Sequence, residues 1–367
     1  MFRELSAFLF LAVLPPLAIA SLDDVQLPPG FAIEEYADVP KARSLALGDR
    51  GTLFVSNRRG RSVYAVVQKD DGSTRTIELL SGMSTPNGIA FHHGDLYVAE
   101  ISRVIRYADI EDHLDDAPDG EVLDIDLPSD RHHGWRYIGF GPDEKLYISI
   151  GAPCNVCDEI GYAQIIRMNA DGTDRETFAS GIRNSVGFTW HPATGELWFT
   201  DNGRDMLGDD IPACELNHAP RQGLHFGYPY CHAGDISDPK FGSGRECTDY
   251  SPPAQKLGPH VAPLGVKFYT GDMFPAQYRN QVFIAEHGSW NRSKKIGYRI
   301  TLVRLEGDQS VSYEPFAEGW LKKEQVSGRP VDLMVLDDGS MLVSDDFSGK
   351  IYRISYSGDT LKGSFNE

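Results

Sequence analysis

Five polar segments hold more chemistry than a chain turn requires. Arg131-His132-His133-Gly134-Trp135-Arg136 sets two adjoining imidazoles beside arginines, and imidazole is the side chain poised to take a proton near neutral pH. Gly181-Ile182-Arg183-Asn184-Ser185-Val186-Gly187 fixes a guanidinium between glycines, suited to an oxyanion or a carboxylate. Thr200-Asp201-Asn202-Gly203-Arg204-Asp205, followed by Asp209, Asp210, Glu215 and Asn217, offers the hard oxygens that Ca²⁺ takes, although its spacing is not that of a helix-loop-helix calcium site. Glu286-His287-Gly288-Ser289-Trp290-Asn291-Arg292 and Gly328-Arg329-Pro330-Val331-Asp332 add another histidine and two arginines. Asn291-Arg292-Ser293 also fits a glycosylation sequon, but a His/Trp/Arg cluster at a strand end reads as a cavity lining.

What places these segments is a recurring phrase: an apolar entry, a Gly/Asp turn and a short strand of aromatic and β-branched residues. It ends in Leu53-Phe54-Val55-Ser56, Leu96-Tyr97-Val98-Ala99, Leu146-Tyr147-Ile148-Ser149, Leu197-Trp198-Phe199-Thr200, Val282-Phe283-Ile284-Ala285 and Leu342-Val343-Ser344. The spacings of about 43, 50, 51, 85 and 60 residues approach the length of a four-stranded propeller blade with insertions. The pattern predicts an all-β, six-bladed β-propeller in a single domain over 21–367. Phe31 to Tyr36 is expected to join the last blade and close the ring, removing an exposed edge. The wide fourth gap, about 201–265, is expected to be an ordered insertion. At one repeat phase, Arg183, Arg292 and Arg329 are predicted to converge, which implies an anionic ligand.

Composition narrows the partners. A formal charge of −18 excludes a nucleic-acid binder, which needs a basic surface. Residues 1–20 read as a cleaved signal peptide: Arg3, an apolar run from Leu5 to Ile19 broken by Pro15 and Pro16, and the exit Ala18-Ile19-Ala20. No later run is long enough to cross a bilayer, so the mature chain is expected to be secreted or periplasmic without stable membrane insertion. In an oxidising compartment the five cysteines should pair. Cys154-Asn155-Val156-Cys157 lacks a second pair to complete a zinc site and is expected to form a local disulfide; Cys231 with Cys247 would leave Cys214 odd.

With these residues in view, the chain resembles the soluble quinoprotein glucose and sorbosone dehydrogenases, six-bladed propellers that use pyrroloquinoline quinone (PQQ) and calcium. The likeness runs over the whole mature chain and is nearest to the sorbosone branch in Arg131 to Trp135, Gly151 to Cys157, His225-Phe226-Gly227-Tyr228-Pro229-Tyr230-Cys231, His287 to Arg292 and Gly328 to Asp332. It implies oxidation of a sugar or sugar-derived aldehyde by His-assisted hydride transfer to the quinone. The general base falls on His133 by its distance to Gly141, or on His132 by its distance to Arg136; His133 is taken. Arg183 would hydrogen-bond the reactive quinone oxygen. Cofactor contacts carry over to His132, Asn184, Asn202, His287, Asn291, Arg292 and Arg329, and calcium to the backbone carbonyls of Gly203 and Arg204. The glucose-oxidising branch has a second arginine where Val331 stands, a lysine without an equivalent near Glu286 to Arg292, and an acidic residue in place of Cys214.

Two other readings use the same propeller. A calcium-dependent lactonase or hydrolase would need carboxylate and Asn ligands on the channel axis and has no use for several arginines. A secreted binding module would need only displayed loops. The sequence also lacks Cys-x-x-Cys-His, since Asp158 follows Cys157, so no haem is attached there and electrons would leave to a separate acceptor.

Overall fold

A computed structural model of the protein describes residues 22–358. The proposed signal peptide lies outside the described residues. Six sheets follow one another as blades, each with four antiparallel strands and blade 3 with a fifth, beginning at Leu45–Leu47, Gly88–His92, Ile138–Phe140, Phe188–Trp190, Pro263–Phe268 and Pro330–Val335. The N-terminal strand Phe31–Asp38 pairs with Lys350–Tyr356 as the outer strand of blade 6, so the ring is closed by its two chain ends as expected.

The repeated phrase is the second strand of each blade. All five residues of Leu53–Asn57, Asp95–Ala99, Leu146–Ile150, Leu197–Asp201, Val282–Glu286 and Met341–Asp345 are buried. Such strands are apolar over most of both faces because each is packed between two neighbouring blades, whereas an outer strand such as Thr74–Leu80 has no fully buried residue. Phe54 and Ala65 of blade 1 thus share one apolar cluster with Leu96, Val98 and Ile105 of blade 2. The seam of blades 4 and 5 is filled by Trp198, Leu216, Val266 and Ile284.

The insertion is ordered and serves two blades. It supplies the third and fourth strands of blade 4, Glu215–Ala219 and Gln255–Lys256, and a fifth, parallel strand of blade 3, Leu224–His225. A small hairpin of Cys231–His232 and Ile236–Ser237 is tied by the Cys231–Cys247 disulfide. Cys154 and Cys157 form the other disulfide, and Cys214 is free and buried. Among the described residues no helix is long and apolar enough to cross a membrane.

Candidate active site

One face of the ring holds a cavity of about 300 Å³. Its walls come from two kinds of connection: those entering the first strand of a blade (Arg43, His133, Arg183, Ala262, Arg329) and those leaving the second (Arg58, Asn202, His287). The residue directly after each second strand is Arg58, Glu100, Gly151, Asn202, His287 and Asp346 in blades 1 to 6, so a single repeat position supplies much of the polar lining.

His133 is 8% exposed, and its Nδ1 lies 2.9 Å from the carbonyl oxygen of Ala152. A carbonyl only accepts, so the proton sits on Nδ1 and the Nε2 lone pair is free. Burial, and then Arg183 and His132, press its pKa down to about 2, which keeps the imidazole neutral. Its backbone is left-handed, with φ 48°, and Gly151 gives it room: a Cβ there would lie 2.6 Å from the His133 Cβ.

Arg183 is held on every side. Its Nε donates to the Asn155 carbonyl at 2.9 Å, its Nη1 to the Asn202 carbonyl at 3.1 Å, and its Nη2 to Asn155 Oδ1 and Asp205 Oδ2 at 2.9 Å each. Four of about five guanidinium N–H groups are thereby used, leaving one on Nη1. The backbone is pinned as well: the Asp201 carboxylate accepts the N–H groups of Arg183 and Asn184 at 2.8 and 2.6 Å. Burial beside Glu215, its cross-strand partner, raises the Asp201 pKa. Asn155 is set in place by the short disulfide loop that brackets it.

The opposite wall is built around one carboxylate. Asp346 meets Arg43 at 2.9 Å, Arg329 at 2.8 Å and His287 at 3.0 Å. Burial opposes ionisation there, but His287, Arg43 and Arg329 hold the carboxyl well below the usual range. Burial likewise takes His287 down to about 4. Arg58 lies 4.2 Å over the Trp135 ring and makes no ion pair among the described residues. Burial and the neighbouring Arg43, Arg59 and Arg329 lower its pKa to about 9, so it stays charged at neutral pH. Arg329 Nε is buried without a partner. Three arginines against one carboxylate, with neutral histidines, leave this wall about +2 in a protein of formal charge −18.

His133, Arg183, Asn184, Asn202, Gly203, His287 and Arg329 meet in the cavity; repeat phase predicts this for Arg183 and Arg329, while the family resemblance implies it for the others. Four expected residues do not line it. His132 is exposed and packs its ring 4.1 Å from that of His133. Arg204 is expected to offer only its backbone carbonyl, and its guanidinium is paired with Asp238. Arg292 does not converge with Arg183 and Arg329, because the Asp209 carbonyl and the Asp210 carboxylate of the blade 4 connection take its guanidinium at 2.5 and 3.2 Å. Asn291 is half-buried in the same loop, beyond Trp290, which is 73% exposed at the mouth. The expected cluster of three arginines is instead one of four, with Arg43 and Arg58 in place of Arg292. Cys214 also lines the cavity as a neutral thiol, its pKa pushed up to about 11 by burial.

Residues 103–293 match the family described as Glucose / Sorbosone dehydrogenase, and residues 235–357 match the TrAA12-like family. An uncharacterized protein of Borreliella burgdorferi is 33% identical over 350 residues, covering 90% of this chain and 91% of its own. The pyrroloquinoline quinone-dependent pyranose dehydrogenase of Coprinopsis cinerea is 27% identical over 233 residues, 47% of this chain and 30% of that protein. The solved PQQ domain of the Coprinopsis cinerea pyranose dehydrogenase, in its holo form, superposes with a TM-score of 0.79 at 20% identity, covering 90% of this chain and 97% of that one. The calcium structure of a Trichoderma reesei family AA12 enzyme gives 0.80 at 20% identity, covering 91% and 97%. At that identity the likeness is one of fold.

Proposed function

The chain belongs to the glucose/sorbosone dehydrogenase family, and from that premise we propose that it is a PQQ-dependent oxidoreductase that oxidises a sugar or sugar-derived aldehyde. The observation that carries the reading is one cavity in which a neutral His133 with a free Nε2 stands beside Arg183, across from a wall of excess positive charge. When bound, the quinone supplies the two-electron acceptor that no side chain offers.

The residues present fit such a ligand. Its carboxylates would be met by Arg58, which has no ion pair, and by Arg329, whose buried Nε has no partner. Asn184, Asn202 and His287 line the same space. Arg183 aims its remaining N–H at charge developing on an oxygen in the cavity. His133 takes the hydroxyl proton of the sugar carbon onto Nε2 while Nδ1–H stays on Ala152. Among the described residues, neither side-chain cluster with metal-ligand spacing lies in the cavity. Calcium would be held by the Gly203 and Arg204 carbonyls with the Asn202 amide oxygen, which are donors of the hard type it takes. Nearest to the sorbosone branch in its motifs, the chain is proposed to favour a keto-aldehyde or its hydrate, and to pass electrons to a separate acceptor after export.

The test is to purify the chain without cofactor and follow dye reduction on aldoses and keto-aldehydes, with and without calcium and PQQ. The expected result is activity only with both, together with quenching of protein fluorescence as PQQ binds. Absence of both binding and turnover would overturn the reading.

A further inference from the structure

A second cluster of ligating side chains lies outside the cavity. The first hairpin of blade 2 turns through His93 and Gly94, both left-handed with φ 50° and 87°, between the paired residues His92 and Asp95. That two-residue turn, of the type that suits the twist of a hairpin, puts the adjoining imidazoles side by side with ring centroids 4.0 Å apart. His92 is fixed by stacking on Phe140 of blade 3, at 3.9 Å and 8°. The corresponding hairpin of blade 3 turns at Glu144, also left-handed with φ 61°, and its carboxylate reaches back to both histidines. Glu144 Oε2 lies 3.0 Å from His93 Nε2 and 3.6 Å from His92 Nε2.

These distances are those of ligands to a common ion. Two donors each about 2.0–2.1 Å from a tetrahedral Zn²⁺ stand about 3.3 Å apart, between the two values observed. The donor set is two imidazoles and a carboxylate, the borderline chemistry that Zn²⁺ prefers and Ca²⁺ does not. The turns that carry it join first to second strands, whereas the cavity lies where first strands begin. One strand length, about 16 Å, therefore separates this cluster from the cavity face.

We propose that His92, His93 and Glu144 form a binding site for a borderline divalent ion, with Zn²⁺ as its ligand, clamping the hairpins of blades 2 and 3 together on the face opposite the cavity. The ion replaces a hydrogen bond between partly exposed groups by bonds to both blades, so its effect is on the stability of the seam. Glu196, His218 and Asp308 form a second trio with similar spacing at the seam of blades 4 and 5, but with one imidazole and two carboxylates. It serves as the internal control.

The chelator-stripped full chain is titrated with zinc chloride in a calorimeter and melted with and without zinc. The expected result is micromolar binding and a rise in Tm. His93→Ala and Glu144→Gln, both changes of exposed side chains, should each weaken zinc binding by tenfold or more and remove the rise, while Asp308→Asn leaves both intact. Cu²⁺ in place of zinc should give an electron-spin signal split by two imidazole nitrogens in the natural chain and by one in His93→Ala. Absence of binding, undiminished binding in His93→Ala and Glu144→Gln, or loss of binding in Asp308→Asn would each overturn the proposal.

Discussion

The two walls of the cavity carry arginines that are used in opposite ways. On the wall of blades 3 and 4, Arg183 is 4% exposed and bonded to two carbonyls, an amide oxygen and a carboxylate. Its charge is matched by Asp205, and what the surrounding structure provides is a fixed direction for one remaining N–H. On the wall of blades 6 and 1, Arg43 and Arg329 share the single carboxylate of Asp346, and Arg58 beside them has no ion pair among the described residues. Their charge is in excess and their donors are incompletely used. The first wall is built to position, the second to attract, and in the proposed reaction they divide between turnover and ligand affinity.

The division is tested most severely at His133. His133→Asn keeps a side chain that tolerates the left-handed backbone but removes the base, and kcat is expected to fall by about 10²–10⁴-fold with little change in PQQ affinity. On the other wall, Arg58→Gln and Arg329→Gln should each weaken PQQ binding about 10- to 100-fold, as loss of a charged hydrogen bond does, while kcat at saturation stays close to that of the natural chain. Fluorescence titration gives the affinity and dye reduction the kcat. A loss of kcat without loss of affinity in Arg58→Gln would erase the contrast between the walls.

A smaller effect comes from behind the first wall. Gly151→Ala would press a Cβ to 2.6 Å from the His133 Cβ and 3.0 Å from Asn184 Oδ1, with a strain of about 1–3 kcal/mol. Displacing the imidazole should lower kcat about tenfold with PQQ affinity retained, in the same assays. Gly151 is also where the legibility of this chain can be judged. It follows the second strand of blade 3, the repeat position that supplies Arg58, Asn202, His287 and Asp346 elsewhere. The repeat was readable because second strands are buried on both faces and must be apolar, and that pattern placed all six blades and the ring closure. His133, Arg183 and Arg329 were readable because they sit in polar segments dense enough to notice. Arg43, Arg58 and Asp346 were not, since each sits in an ordinary turn, Arg58 beside Arg59 and Asp346 beside Asp345, with nothing to mark one of those charges as part of a site. Arg43 and Asp346 meet across 303 residues of chain only because the ring closes. Extending the repeat phase to every blade would have found Arg58 and Asp346. Nothing in the sequence announces that Arg292 is taken by Asp209 and Asp210, because that pairing depends on the path of the long blade 4 connection.

The gentlest probe of the two walls is the proton. His133 has a folded pKa of about 2 against an ordinary value of 6.5, so between those limits the unfolded chain binds a proton that the folded chain refuses. Stability must then fall as pH drops through 6.5, by up to about 2 kcal/mol at pH 5 for this residue. His287, facing Asp346, is lowered only to about 4, because the carboxylate partly offsets its burial. Down to pH 5 both histidines remain neutral and cost the fold alike. Below about pH 4 His287 takes its proton and its contribution levels off, while that of His133 keeps growing. Denaturant melts of the cofactor-free chain at pH 7, 5 and 3.5 should show His133→Asn flattening the acid limb throughout and His287→Asn flattening it only above pH 4. Equal flattening at every pH would mean that Asp346 does not hold its histidine as the cavity geometry requires, and the attracting wall would lose its distinguishing feature.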